Sequence, residues 1–195
     1  MRISRPSLVL VALLGTACLN PRPDTSRYYT LSADRVQPPP GRRVVAALGL
    51  GPVVLPPYLD RSEFALRIGP DEIAYASDER WAAPLADLFA RALAEDLRAL
   101  VPAAQVVPWP YSPASPPDIS VAVDVLRFEA DASGKVSFEA RFSLRGGGKV
   151  LAQGETRFQE SVTARDTPAA AASLSRAIAA LARDVADAAA GVPRP

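Results

Sequence analysis

The chain carries one cysteine, Cys18. A lone thiol closes no intramolecular disulfide, so whatever this sequence folds into must be held by burial alone. Its position constrains the chain further. The amino terminus is basic, with Arg2 and Arg5, and then runs through the apolar stretch SLVLVALL (Ser7 to Leu14) to Gly15, Thr16, Ala17 and Cys18. A basic start, an apolar run of about ten residues and small residues at its end are the parts of a secretory signal peptide. The run is well short of the ~20 apolar residues that span a bilayer. A cysteine directly after the small residues makes it a bacterial lipoprotein signal. Residues 1–17 are then removed, the Cys18 thiol is alkylated with diacylglycerol, and the new amino terminus is acylated. Leucine usually stands three residues before that cysteine; here Gly15 holds the place and the leucine is Leu14. Several acyl chains anchor stably where one is marginal. The lipid also removes a free thiol that would be a liability in an oxidising compartment.

Cleavage leaves about 178 residues, room for one domain with a core and not for two. Losing Arg2 and Arg5 brings the balance of 22 basic and 21 acidic residues to a net charge of about −1. With no basic stripe either, the chain lacks the electrostatic footprint of a nucleic-acid binder. No later apolar run approaches membrane-spanning length, so attachment rests on the lipid. Histidine is absent, which excludes Ser-His-Asp and Cys-His catalysis as usually built, along with His-ligated zinc or iron. A carboxylate pair remains formally open. The acids, however, are scattered singly among arginines, the pattern of a solvated surface. The residues point to no enzyme, no metal and no cofactor.

Residues 18–26 read as a lipidated, proline-bearing tether and residues 27–195 as the folded body. Tyr28 to Leu31 is a short β-prone run, and residues 37–41 (QPPPG) form a stiff break. Val44 to Leu55 is continuously apolar, as in a strand buried on both faces, with Gly49 and Gly51 marking a bulge or a close backbone approach. Phe64 to Ile68 and Ile73 to Ser77 flank a turn at residues 69–72 and predict a hairpin. A helix follows, capped by Ser77 or Asp78 and stopped by Pro102. Its stripe is Trp81, Leu85, Leu88, Phe89, Ala92, Leu93, Leu97 and Leu100, with Pro84 in its first turns and Asp87 spaced to pair with Arg91.

Gln105 to Trp109 reads as a short strand before a proline-rich loop. From Ile119 the apolar positions are odd-numbered, and by Leu126 and Phe128 they are even-numbered, which predicts a bulge near Val125. Val136, Phe138, Ala140, Phe142 and Leu144 alternate with polar residues, the pattern of an antiparallel strand with one wet face. Gly146 to Gly148 turn the chain into a strand over Lys149 to Val162. A last helix runs from about Pro168, capped by Thr167, to Ala189, with Ala171, Leu174, Ile178, Leu181 and Val185 as its stripe. These elements predict a single-domain α/β sandwich: a mixed sheet with two main helices on one face.

The glycines of LGLGPVVLPPYLDR (Leu48 to Arg61) do not fit a dinucleotide fingerprint, because proline rather than a helix follows them. Tyr58, Leu59, Asp60 and Arg61 come after two stiffening prolines and could present a fixed surface to a partner. Arg80 and Trp81 are residue types that anchor interfaces. Trp81 also lies on the stripe of Leu85, so it could be core rather than contact, and the sequence leaves both open. Asp60 and Arg61 could equally pair with each other or near Arg80.

Taken in order, the lipobox, Tyr28-Tyr29-Thr30-Leu31, Gly-Pro-Val-Val-Leu-Pro-Pro-Tyr-Leu-Asp-Arg, Arg80-Trp81 and Pro84-Leu85 resemble the ABC-type transport auxiliary lipoproteins of the PqiC type. The likeness is most specific from Leu48 to Leu97. It departs from the pattern at Gly15 and in the Pro108 to Pro117 loop. It implies a non-enzymatic subunit that partners an MCE-domain protein of a lipid transport system. It also implies a lipid-anchored place on the periplasmic face of the outer membrane of a Gram-negative bacterium. Leu19 agrees, since an aspartate there would signal inner-membrane retention. The residues leave homo-oligomerisation open. A rival of another class is an outer-membrane lipoprotein that scaffolds or activates a cell-wall synthase, and a hydrolase is a third. Neighbouring genes for an ATPase, a permease and an MCE protein would favour transport.

Overall fold

The structure, a computed structural model, describes residues 24–34, 47–101, 105–112, 114 and 116–192. The signal peptide, Cys18, most of the tether, the 37–41 break, residues 44–46, Pro102 and Pro193 lie outside them. The elements are β1 (Arg27–Tyr29), β2 (Ala47–Val54), a 3-10 turn (Pro57–Leu59), β3 (Glu63–Gly69), β4 (Glu72–Trp81), α1 (Leu85–Leu100), β5 (Gln105–Pro108), β6 (Ile119–Asp131), β7 (Lys135–Gly146), β8 (Lys149–Ser161) and α2 (Thr167–Gly191).

All eight strands join one mixed sheet, and β6 organises it. Along one edge of β6 two strands run parallel to it in succession. β2 pairs with its first half, Leu48 opposite Ile119 through Val54 opposite Asp124. β3 pairs with its end, Leu66 opposite Ala130 and Arg67 opposite Asp131. The antiparallel meander β6–β7–β8 occupies the other edge. β5 flanks β2, and β4 then β1 flank β3. Both helices cover one face and pack on each other, α1 over β2 and β5, α2 over β6, β7 and β8. The result is the single α/β domain that the pattern of elements predicts.

Period-2 burial accounts for β7: Val136, Phe138, Ala140, Phe142 and Leu144 are all buried against the helices. On the wet face, charges alternate across the strands in two rows, Asp124–Arg141–Glu155 and Arg127–Glu139–Arg157. Arg141 lies 3.8 Å from Glu155 and Arg157 lies 3.5 Å from Glu139. The bulge lies where the phase change places it. Val125 pairs with Ala140 and Arg127 with Glu139, so Leu126 is the extra residue. β2 shows both properties expected of its glycines. Its register with β6 shifts between Leu50 and Val53, and Gly51 has φ of 120°. At Gly49 the proline-rich loop comes so close that a Cβ there would lie 2.5 Å from Pro117 Cγ and 2.6 Å from Tyr111 Cζ. That loop seals the outer face of β2, with the Tyr111 hydroxyl donating to the Gly51 carbonyl at 3.0 Å.

Both helix starts differ from the expectation. The second hairpin strand continues to Trp81, so Ser77 and Asp78 are strand residues and cap nothing. α1 begins at Leu85 behind Pro84, which offers no side-chain cap. Apolar residues at 81 and 85 satisfy helical spacing although a strand end and a turn separate them. The cap of α2 is Asp166, whose carboxylate accepts from the Ala169 amide at 2.9 Å, and Thr167 is its first helical residue.

Beyond β1 the chain leaves the sheet and lies along the seam between α1 and α2. Leu31, 1 % exposed, plugs the seam. Arg91, spaced to pair with Asp87, donates to Thr30 Oγ1 at 2.8 Å and to the Leu31 carbonyl at 3.2 Å. The Ser32 amide donates to Ser175 Oγ at 3.2 Å, and Arg183 meets Asp34 at 3.3 Å. On the far side of α2, Thr156 donates to Asp184 at 2.6 Å. Ser173 and Arg176 both donate to Glu160, fastening the helix to β8.

Candidate functional site: a braced loop beside the end of β4

Between Val54 and Glu63 the chain must step from one half of β6 to the other. Pro56 and Pro57 hold the backbone for a 3-10 turn, closed by the Leu59 amide on the Pro56 carbonyl (2.9 Å) and the Asp60 amide on the Pro57 carbonyl (3.1 Å). Leu59 turns inward and is 4 % exposed. Tyr58 anchors the turn from the other side, its hydroxyl donating to Glu129 Oε2 at 2.9 Å. Burial, followed by the charge of Glu129, pushes the Tyr58 hydroxyl up to about 12. The Tyr75 hydroxyl donates to the Tyr58 carbonyl at 3.0 Å, fixing the same residue through its backbone.

Glu129 is 3 % exposed and is the hub of this arrangement. The Arg67 guanidinium grips it with Nε and Nη2, the latter 3.2 Å from Oε2, while its Nη1 donates to the Pro70 carbonyl at 2.8 Å. Arg127 Nε stands 3.6 Å from Oε1. A buried carboxylate needs such a set of partners, because unpaired it would cost several kcal/mol or take up a proton. Sequence reading does not find Glu129. Its partners are 62 and 71 positions away, and two residues after Arg127 in a strand it reads as one more wet-face acid.

The turn thus braced presents Asp60 and Arg61 to solvent. The Arg61 guanidinium lies over the Tyr75 ring at 4.3 Å and its Nε is 3.5 Å from Glu63. Ser62 connects the turn to β4, its carbonyl accepting from the Trp81 amide at 2.7 Å and its hydroxyl from Arg80 Nη1 at 3.5 Å. Arg80 is half-buried, and its Nε is enclosed without a hydrogen-bond partner. Trp81 is a core residue, 5 % exposed and stacked on Phe64 at 5.0 Å and 29°. Tyr58, Asp60, Arg61 and Arg80 therefore share one surface region, and Leu59 and Trp81 hold it from beneath. Chemically this surface offers cations, a carboxylate and an aromatic edge, fixed in place. It sets no nucleophile beside a base. Among the described residues no group of three or more His, Cys, Asp or Glu could hold a metal ion. No helix there is long and apolar enough to cross a membrane.

The family model described as ABC-type transport auxiliary lipoprotein component matches residues 29–186, more than half of the chain. Among curated proteins the sequence finds no match. Two of the similar solved structures illustrate the shared fold. One is an uncharacterised protein at 18% identity and TM-score 0.70, with 84% of this chain and 97% of that one covered. The other is a DUF330 protein from Xanthomonas campestris at 21% identity and TM-score 0.66, with 82% and 92% covered.

Proposed function

Because the chain belongs to the family of ABC-type transport auxiliary lipoprotein components, we propose that it is the non-enzymatic outer-membrane subunit of an MCE/ABC-type intermembrane lipid transport system. Cys18 carries the lipid and fixes the protein to the periplasmic face of the outer membrane. The folded body docks the MCE-domain conduit there. The observation that supports docking is the braced turn. Tyr58 and Glu129 hold residues 57–61 in one shape before any partner arrives, so little conformational entropy is lost on association. Arg61 and Arg80 supply charge-assisted donors to carboxylates or carbonyls of a partner. The absence of histidine in the sequence and the blocked thiol support a non-enzymatic role.

Co-purification from cells tests this reading. Wild-type protein is expected in the outer-membrane fraction together with an MCE-domain protein. Cys18→Ser should leave that fraction, and Arg61→Ala should stay in it with less partner bound. Retention of Cys18→Ser in the outer membrane, or undiminished capture by a folded Arg61→Ala, would overturn the anchoring and the docking surface respectively. Turnover in a hydrolase screen, abolished by a single Asp, Glu or Ser substitution, would overturn the non-enzymatic role.

A further inference from the structure

One acid lies where an acid is costly. Asp96 stands three residues past Leu93 and four past Ala92, on the buried stripe of α1, and is 0 % exposed. Both carboxylate oxygens are enclosed, and the Asp34 backbone amide, which favours the carboxylate, faces them without reaching hydrogen-bond geometry. The groups that face it are the backbone amide and carboxylate of Asp34 from the overlying segment, Arg183 from α2, and Glu95 from its own helix. Above it run residues 30–34, held to α1 through Arg91 and to α2 through Ser175 and Arg183.

We infer that residues 30–34 form a proton-operated latch over the α1–α2 seam, seated while Asp96 is neutral and loosened when it ionises. A neutral carboxyl fits an apolar seam at the modest cost of an unpaired hydroxyl. A carboxylate there has lost its water and stands beside the like charge of Asp34, with Arg183 already shared with Asp34. Lifting the segment removes the Asp34 amide, which favours the carboxylate, and with it the Asp34 charge, but it admits water and so relieves the largest penalty, burial. Arg183 is then left to Asp96. Burial, the largest cause, raises Asp96 from the ordinary carboxylate range to about 7. The change of charge therefore falls near neutrality rather than in acid.

The latch matters because of what the segment covers. If Cys18 is the anchor, as proposed above, eight residues lie between it and Arg27, and the nine steps reach at most about 30 Å at ~3.3–3.6 Å each. β1 stays paired with β4 when residues 30–34 lift, so this reach is unchanged and what opens is the α1–α2 seam that Leu31 plugs. The latch itself does not depend on the anchoring: it can operate in a protein that carries no lipid.

Hydrogen exchange on the full-length protein in mild detergent tests it at pH 6 and pH 8, with rates corrected for the intrinsic effect of pH. In wild type, protection of the amides of residues 30–34 should fall at least tenfold between the two, while α1 and α2 stay protected. In Asp96→Asn the same amides should be equally protected at both. The inference is overturned if wild-type protection does not change, if Asp96→Asn shows the same fall, or if the loss spreads evenly over both helices. None of these outcomes bears on membrane fractionation, so the latch and the anchoring fail separately.

Discussion

The hydroxyl of Tyr58 and the carboxylate of Glu129 meet at 2.9 Å across 71 positions of sequence. Glu129 follows the bulge of β6 and is the last residue before the β3 pairing begins. Tyr58 belongs to the turn that faces this stretch. The contact therefore closes the one gap in the β6 edge that neither β2 nor β3 covers.

Removing either partner should cost unequal amounts. Tyr58→Phe loses one hydrogen bond to a charged acceptor while Arg67 still neutralises Glu129, so about 1–2 kcal/mol is expected. Glu129→Ala leaves the Arg67 fork and the Tyr58 hydroxyl without a partner and should cost about 2–4 kcal/mol. Denaturant melts of the two variants read the difference directly, and a larger loss for Tyr58→Phe would contradict the hub role of Glu129.

Trp81→Ala and Arg61→Ala should separate stability from recognition. The indole is buried and stacked on Phe64, so its loss opens a cavity and should cost about 3–5 kcal/mol. Arg61 is exposed, and its replacement should shift stability by no more than ~0.5 kcal/mol. Thermal melts paired with capture of the proposed MCE-type partner check both: the arginine variant should melt like wild type and bind less.

Stability should depend on pH through Asp96. A carboxyl whose folded value is raised to about 7 from an unfolded value near 3.8 binds its proton more tightly when folded. Its stabilising contribution is then complete below pH ~4 and is lost as pH rises through ~7. Wild type should therefore melt roughly 5–10 °C lower at pH 8 than at pH 5 on account of this group. Asp96→Asn should lack that slope and exceed wild type at pH 8, as scanning calorimetry of both proteins at the two pH values would reveal.

Gly49→Ala should loosen the proline-rich loop. The new methyl would fall 2.5 Å from Pro117 and 2.6 Å from Tyr111, so the loop must lift and Tyr111 must weaken its bond to Gly51. A cost of about 1–3 kcal/mol is expected. The fluorescence of Trp109, whose ring meets Tyr111 edge to face at 5.0 Å, should change with it. An unchanged melt with unchanged fluorescence would show that the loop does not rest on Gly49.

What the sequence makes legible is what local periodicity controls. β7 alternates because one of its faces is wet, and the bulge at Leu126 shows as a change of phase in β6. The stripes of both helices follow from three- and four-residue spacing. Helix starts are poorly legible, because Trp81 and Leu85 have helical spacing across a strand end and a turn, and because Thr167 and Asp166 are both competent caps. The brace behind the turn is not legible at all. Nothing near Glu129 signals that Arg67 and Tyr58 return to cover it. Asp96 lies between these cases. Its spacing assigns it to the buried stripe, while its residue type argues for the surface, and the spacing prevails.

β2 and β3 lie along the same edge of β6, one after the other, each in a register set by its own pairing. Residues 55–62 are consequently a ruler between two fixed marks. Side chains that face water there can change freely, but their number cannot. One residue more or fewer would slip β3 along β6 and turn Phe64 and Leu66 away from the layer they fill. Across relatives that keep this sheet, substitutions should accumulate in the turn while insertions and deletions collect elsewhere. Any partner that reads the turn would find it always the same distance from the strands on either side.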